Sequence, residues 1–275
     1  MNISTVLNEN QGERIRAAAL PTWLLSRGIS SVTTGEIATL LGVPASQVPA
    51  RLAPLRKRGE IVSPASGLWL PVSPEYVSWG APPAIEIIDV LMRHFQTDYY
   101  VGWLSAAALH GASHHAPQAF QVAASGTIRE RNVGRSRICF YHRSHVASVP
   151  TDQRETRAGI AIISSRETTM LDLANDPMIS GGLNNVANIL IELHENSPAE
   201  AGRLHEAAAV FPAAAIRRLG WMMEHFTSDA DASPLYDILA LRTSAPSFLS
   251  PSSNERGTLD RRWNLYINTG VEPDL

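Results

Sequence analysis

The sequence predicts an α+β fold in which an N-terminal winged helix-turn-helix domain precedes a larger α+β domain with a small mixed sheet and several helices. Three observations lead there. Residues 33–71 read as two short helices and a tight hairpin. A cluster of breakers, Pro71, Pro74, Gly80, Pro82 and Pro83, follows it. The remainder alternates strand-like runs with a long helical stretch. These place a first domain at residues 1–72, a linker at 73–83 and a second domain at 84–275.

The first helix is read from TTGEIATLLG (Thr33 to Gly42). Thr33 and Glu36 have capping-box spacing, Ile37, Leu40 and Leu41 share one face, and Gly42 supplies the stop and the turn. Ser46 is placed to cap a second helix, in which Val48, Leu52 and Leu55 recur at helical spacing and leave Gln47, Ala50 and Arg51 on the opposite side. Pro49 falls in the first turn, where no amide is needed. Pro54 falls inside and costs roughly 3 kcal/mol, so a short or kinked helix is expected. Arg56, Lys57 and Arg58 crowd the last turn before Gly59. EIVSPASGLWLP (Glu60 to Pro71) then gives two apolar runs around a Pro/Ser/Gly tip, the expected wing.

This layout places one helix in the major groove of DNA. Ser46, Gln47 and Arg51 are then expected to reach base edges, and Arg56, Lys57, Arg58 and the wing residues Ser63 and Ser66 to hold phosphates, with Thr33 and Ala50 also at the DNA-binding surface. The charge supports this only when divided along the chain. The whole chain carries −3, but residues 1–72 hold seven Lys/Arg against four Asp/Glu and residues 158–275 hold eight against fifteen. A second basic stretch, residues 129–157, holds seven Arg against three acids. In it, Ala119–Ser125 and Arg137–Arg143 read as strands around a turn bearing Arg129, Arg131 and Arg135. With Arg137 and Arg143 these form a second basic patch, suited to a phosphate backbone, an acidic partner or solvent alone.

Beyond the breakers, Ile85, Ile88, Leu91, Met92 and Phe95 mark a helix over 84–95, and Trp103–His110 a second with small residues on its packing face. Strands are expected at Ala119–Ser125, Arg137–His145 and Gly159–Ser164. About four helices then fill Glu167–Phe226, and a strand with one buried face ends the chain around Trp263, Leu265 and Ile267.

Composition narrows the chemistry. Lys57 is the only lysine, which removes the phosphate-binding P-loop, the Schiff-base lysine and the lysine-dependent nuclease site. Cys139 is the only cysteine and lies in the apolar run ICFYH, where a buried strand residue is expected. His110, His114 and His115 with Asp98 fit no metal-ligand spacing, so neither metal nor cofactor is expected. Glu167, Asp172 and Asp176 read as a solvated acidic helix face, and Arg217, Arg218, Arg261 and Arg262 as stems packed across Trp221 and Trp263. No leader-like apolar stretch opens the sequence and none spans a bilayer, so a cytoplasmic, non-enzymatic protein without membrane contact is expected.

The order of motifs resembles a family. GLWLP closing the hairpin, then YYVGWLSAAALHG, SSRETTMLDLANDP, GGLNNVANIL, IRRLGWMMEHF and RRWNLYINTGVEPD are similar to the AbiEi-type antitoxins, the regulator half of type IV toxin–antitoxin (abortive infection) operons. The resemblance covers nearly the whole chain. It implies a repressor that binds inverted repeats in its own promoter as double-stranded DNA, and a second domain that counteracts a nucleotidyltransferase-type toxin. The alternative is an antitoxin whose second domain binds the toxin directly, with DNA binding secondary. Pro54 departs from the recognition helix expected of the family.

Overall fold

A computed structural model of the chain describes residues 14–112, 117–242, 244–253 and 255–274. They form a mixed α+β protein of two compact units. The first is built from residues 14–98, 126–140 and 153–161, and the second from residues 99–125, 141–152 and those from 162 onward. Among the described residues no helix is long and apolar enough to cross a membrane.

The first unit begins with α1 (Leu20–Ser26), β1 (Val32–Thr33), α2 (Thr34–Leu41) and α3 (Val48–Lys57). The capping box of α2 is present as the sequence predicts. The Thr33 side chain accepts from the Glu36 amide, and Glu36 Oε2 accepts from the Thr33 amide at 2.6 Å. Gly42 ends α2 at φ +64°, a conformation an L side chain adopts only under strain. The entry to α3 differs from the expectation. Residues 45–47 form a 3-10 turn with Ser46 inside it, and no side chain caps either that turn or α3. Pro49 sits in the first turn of α3. The helix continues through Pro54 to Lys57, because Ala50, whose carbonyl loses its partner there, is exposed to water.

β2 (Ile61–Ala65) and β3 (Leu68–Pro71) form the expected hairpin, with β1 antiparallel to β3 through Val32↔Trp69 and Thr33↔Leu68. Trp69 Nε1 donates to Thr34 Oγ1 at 2.9 Å and the Thr34 amide to the Gly67 carbonyl, which fixes the hairpin on the start of α2. Leu24, Ile37, Val48, Leu52, Leu55 and Ile61 fill the core beneath. Each retains at most 2% exposure. A 3-10 helix (Pro74–Trp79) and α4 (Ala84–Phe95) complete this part of the unit.

Next come β4 (Tyr99–Val101), α5 (Trp103–Leu109), β5 (Phe120–Ala124), β6 (Arg131–Val133), β7 (Ser136–His142), β8 (Thr151–Thr156) and β9 (Gly159–Ser164). The largest sheet has strand order β6-β7-β5-β4-β9-β8. β4 runs antiparallel to β5, with Tyr100↔Ala123, and parallel to β9 at Val101↔Ile163. The stretch expected as one hairpin therefore contains an additional strand, since β6 turns straight back into β7 through Val133↔Ser136.

Four helices occupy the predicted helical region: α6 (Arg166–Asn175), α7 (Leu183–Asn196), α8 (Ala201–Ala208) and α9 (Ala213–Phe226). α10 (Ser233–Ala240) follows, and a small sheet, β10 (Ser247–Phe248), β12 (Leu265–Ile267) and β11 (Thr258–Asp260) in that order, packs on α9. α6 is the axis of this unit: it contacts α5, α7, α8 and α9, and every residue from Glu167 to Ala174 is buried. A helix covered on all sides must find internal partners for its polar groups, and that requirement shapes the second site described below.

Candidate nucleic-acid interface and a buried polar cluster

On α3 the apolar positions Val48, Leu52 and Leu55 are spent on the core. Gln47, Ala50, Arg51, Arg56 and Lys57 are exposed, as are Thr33 and Ser46. Among the described residues neither Arg51 nor Lys57 takes part in an ion pair. Arg56 lies with its guanidinium 5.9 Å from the Trp69 ring centroid. Arg58 is committed instead: its Nε and Nη2 reach both oxygens of Glu60 at 2.7 and 3.0 Å, and this contact holds the Glu60 carboxyl below its ordinary pKa. In the hairpin, Ser63 donates to the Ala65 carbonyl at 2.9 Å, while Ser66 is exposed at the tip with its carbonyl 3.0 Å from His94 Nε2.

The second basic stretch divides. Arg129 and Arg135 are exposed, and Arg135 lies 6.0 Å from the ring of Trp79, itself 54% exposed. Arg131 is half-buried over Phe95, and its strand β6 packs against β2 of the hairpin. Arg137 forms a two-pronged pair with Glu130 at 2.8 Å, which lowers the Glu130 pKa. Arg143 belongs elsewhere: it pairs with Asp176 in the second unit and lies 4.9 Å from the Trp103 ring centroid.

That second location overturns one sequence expectation. Glu167, Asp172 and Asp176 do not form a solvated face. Asp172 has no exposure and Glu167 only 3%, while the Asp176 side chain keeps 29%. Burial pushes the Asp172 carboxyl up to about 8, against the opposing pull of Arg143 and with a further push from Asp176. Tyr100 donates to its Oδ1 at 3.2 Å. Asp176 accepts from Trp103 Nε1 at 3.1 Å and from Asn175 at 3.0 Å. Glu167 accepts from the Glu200 amide at 3.0 Å and faces Arg203.

Two features of the backbone build this cluster. Gly102 lets Asp172 approach, since a Cβ there would stand 2.9 Å from Asp172 Oδ2 and 3.0 Å from the Tyr100 ring. Trp103, fully buried, adopts φ +48°, a left-handed conformation that costs a bulky residue roughly 1–2 kcal/mol. Its indole is held by Asp176, by Arg143 on its face and by the edge of Tyr141 at 4.9 Å. The signal for burial was present in the sequence, because Met170, Leu171, Leu173 and Ala174 surround Asp172 on every side of the helix.

The arginines beside tryptophans are also corrected. Arg217 and Arg218 are buried and serve backbone oxygens, not indoles. Arg218 donates to the carbonyls of Ala174 and Phe248, so it closes the C-terminal end of α6, and Arg217 reaches Ser244, Ala245 and Ser247. Arg262 pairs with Glu224 and lies over Tyr236, while Trp263 donates to Glu224 at 2.7 Å. Cys139 is buried in β7. His110 ends α5 with a ring nitrogen 2.8 Å from the Ser164 carbonyl, and His114 and His115 lie outside the described residues. Among the described residues no group of His, Cys, Asp and Glu could hold a metal ion.

Residues 100–225, which carry the buried cluster, match the family model of the AbiEi antitoxin C-terminal domain. Over that region the chain is similar to the AbiEi antitoxins. The crystal structure of the RV2827C protein from Mycobacterium tuberculosis is similar in fold, with a TM-score of 0.64 at 15% identity, covering 92% of each chain. No curated protein matches the chain.

Proposed function

We propose that the protein is a DNA-binding autorepressor and antitoxin, with residues 1–72 as a winged helix-turn-helix domain joined by residues 73–83 to the antitoxin domain. The observation that carries this reading is the division of α3. Its Val48, Leu52 and Leu55 are at most 2% exposed, while Gln47, Ala50 and Arg51 face outward. Base edges are read by Ser46, Gln47 and Arg51, with phosphates held by Arg56, Lys57 and the hairpin tip at Ser66. Arg58 contributes less than its charge suggests, because Glu60 offsets it. The contact of β6 with β2 supports a phosphate track continuing from the hairpin tip to Arg129, Arg131 and Arg135. The DNA is the protein's own promoter with its inverted repeats, and the toxin is of the nucleotidyltransferase class, as the family resemblance implies. A gel-shift titration against the DNA upstream of the gene tests the reading. Retardation outcompeted by the same sequence but not by random duplex is expected, and no retardation at low salt contradicts it.

A second reading, direct capture of the toxin by the second unit, draws on its exposed apolar side chains. Met178 is 68% and Leu241 83% exposed, and Glu195, Glu200 and Glu206 are exposed on or next to α7 and α8. A pull-down of the toxin by a variant with Arg51 and Lys57 replaced by alanine separates this from repression alone.

A further inference from the structure

The segment between the hairpin and α4 is pinned in place. It contains the 3-10 helix Pro74–Trp79, which Gly80 ends at φ +76°. Two glycines from other parts of the first unit press against it. A Cβ on Gly59, at the end of α3, would stand 3.1 Å from the Val77 carbonyl oxygen. One on Gly134, in the turn between β6 and β7, would collide with the Trp79 carbonyl oxygen, and that carbonyl accepts from the Arg135 amide at 3.1 Å. Trp79 is therefore fixed between the basic end of α3 and an arginine-bearing turn, all within one unit.

What this support presents is an indole. Of the six tryptophans, all among the described residues, Trp79 alone is exposed, at 54%. Trp69, Trp103, Trp221 and Trp263 retain at most 7%, and Trp23 is half-buried. So much ring left in water is surface that a partner gains by covering. The charge around it has one sign. Glu75 and Glu130, the acids closest in sequence to Trp79 and to the turn, pair with Arg157 and Arg137. Arg129 and Arg135 are exposed, and Arg135 lies 6.0 Å from the indole centroid. An uncharged ring flanked by cations suits a polyanion, and continuity with Arg56 and Lys57 at the end of α3 makes the DNA duplex its occupant.

We propose that Trp79 and Arg135 form a second, sequence-independent contact on the duplex, an inference that rests on the reading of α3 given above. The indole N–H donates to a phosphate oxygen, the ring packs on the adjoining deoxyribose, and the Arg135 guanidinium holds the neighbouring phosphate. Contacts of this kind position a protein on DNA without reading bases. An indole has one N–H donor and no charge, so it displaces no counterion, whereas an arginine does. The segment that joins the hairpin to α4 then belongs to the interface, and the protein covers more duplex than the bases that α3 reads.

Titration of the full-length protein against promoter and random duplexes over a range of salt, followed by tryptophan fluorescence, tests this. Trp79→Ala should weaken binding to both duplexes alike, about 10-fold at fixed salt, remove most of the fluorescence change on binding and leave the salt slope unchanged. Trp79→Phe, which keeps a ring and loses the donor, should fall between. Arg135→Gln should weaken both duplexes and lower the salt slope by about one. Circular dichroism checks that each variant folds. Binding that Trp79→Ala leaves unchanged on both duplexes overturns this inference and leaves the reading of α3 in place. A loss confined to the promoter, or a salt slope altered by Trp79→Ala, overturns it as well. Failure of the wild type to bind either duplex at low salt overturns the reading of α3 and this inference with it.

Discussion

The phenol of Tyr100 donates a 3.2 Å hydrogen bond to Oδ1 of Asp172, a carboxyl with no solvent exposure on a helix buried from every side. Tyr100 lies on β4 and Asp172 on α6, so one polar contact fastens the sheet to the central helix of the second unit. Burial holds the Tyr100 hydroxyl well above its ordinary pKa, so it remains a donor at neutral pH.

Asp172 gives a pH dependence with a definite sign. Its folded pKa of about 8 lies above the 3.8 of the free side chain, so between those values the folded state holds a proton that the unfolded state has released. The contribution of this group to stability is therefore greatest below about 4 and declines as pH rises to about 8, by up to about 1.4 kcal/mol per pH unit. Asp172→Asn keeps an acceptor for Tyr100 and removes the titration. Urea unfolding at several pH values should show the variant gaining on the wild type as pH rises. A pH-independent difference between the two would contradict the account.

Gly220 lies in α9 where a Cβ would collide with the six-membered ring of Trp263. Gly→Ala in a helix normally gains stability, but here the indole, 1% exposed and bonded to Glu224, would have to leave its place. Gly220→Ala should destabilise by about 1–3 kcal/mol, as overpacking does. Thermal unfolding checks it, and an unchanged or raised midpoint would refute the packing described.

Arg143 was grouped with the basic patch by sequence, yet it closes the Trp103–Asp176 contact. Arg143→Ala should lower stability by up to about 3 kcal/mol, because it strips a partly buried carboxylate of its partner and an indole of its covering cation. Replacing Arg129 and Arg135 together, both exposed, should instead leave the unfolding midpoint within about 0.5 kcal/mol of wild type. Denaturant titration of both variants distinguishes the two roles.

Much of the fold could be read from local pattern. The Thr33–Glu36 capping box, the α4 periodicity and the four helices after Glu167 are all set by residues close in sequence. Ser46 misled because its type suits a cap, whereas Pro44 starts a 3-10 turn that absorbs it. β8, with the sequence TDQRET, lacks alternation because it is an edge strand whose side chains need not be buried. The burial of α6 was written in its apolar neighbours, but the contacts of the buried cluster were not legible. They join Asp172 to Tyr100 and Asp176 to Arg143 across 72 and 33 residues, and spacing along one helix cannot reveal what lands on it from other strands.

The central claim is that the exposed side of α3 reads DNA, and Arg51→Ala tests it most directly. Titration of wild type and variant against the promoter duplex and a random duplex of equal length should show a loss of about 1–3 kcal/mol on the promoter and little on random DNA. Lys57→Ala should weaken both and reduce the salt slope by about one. Equal losses by Arg51→Ala on the two duplexes would contradict the claim.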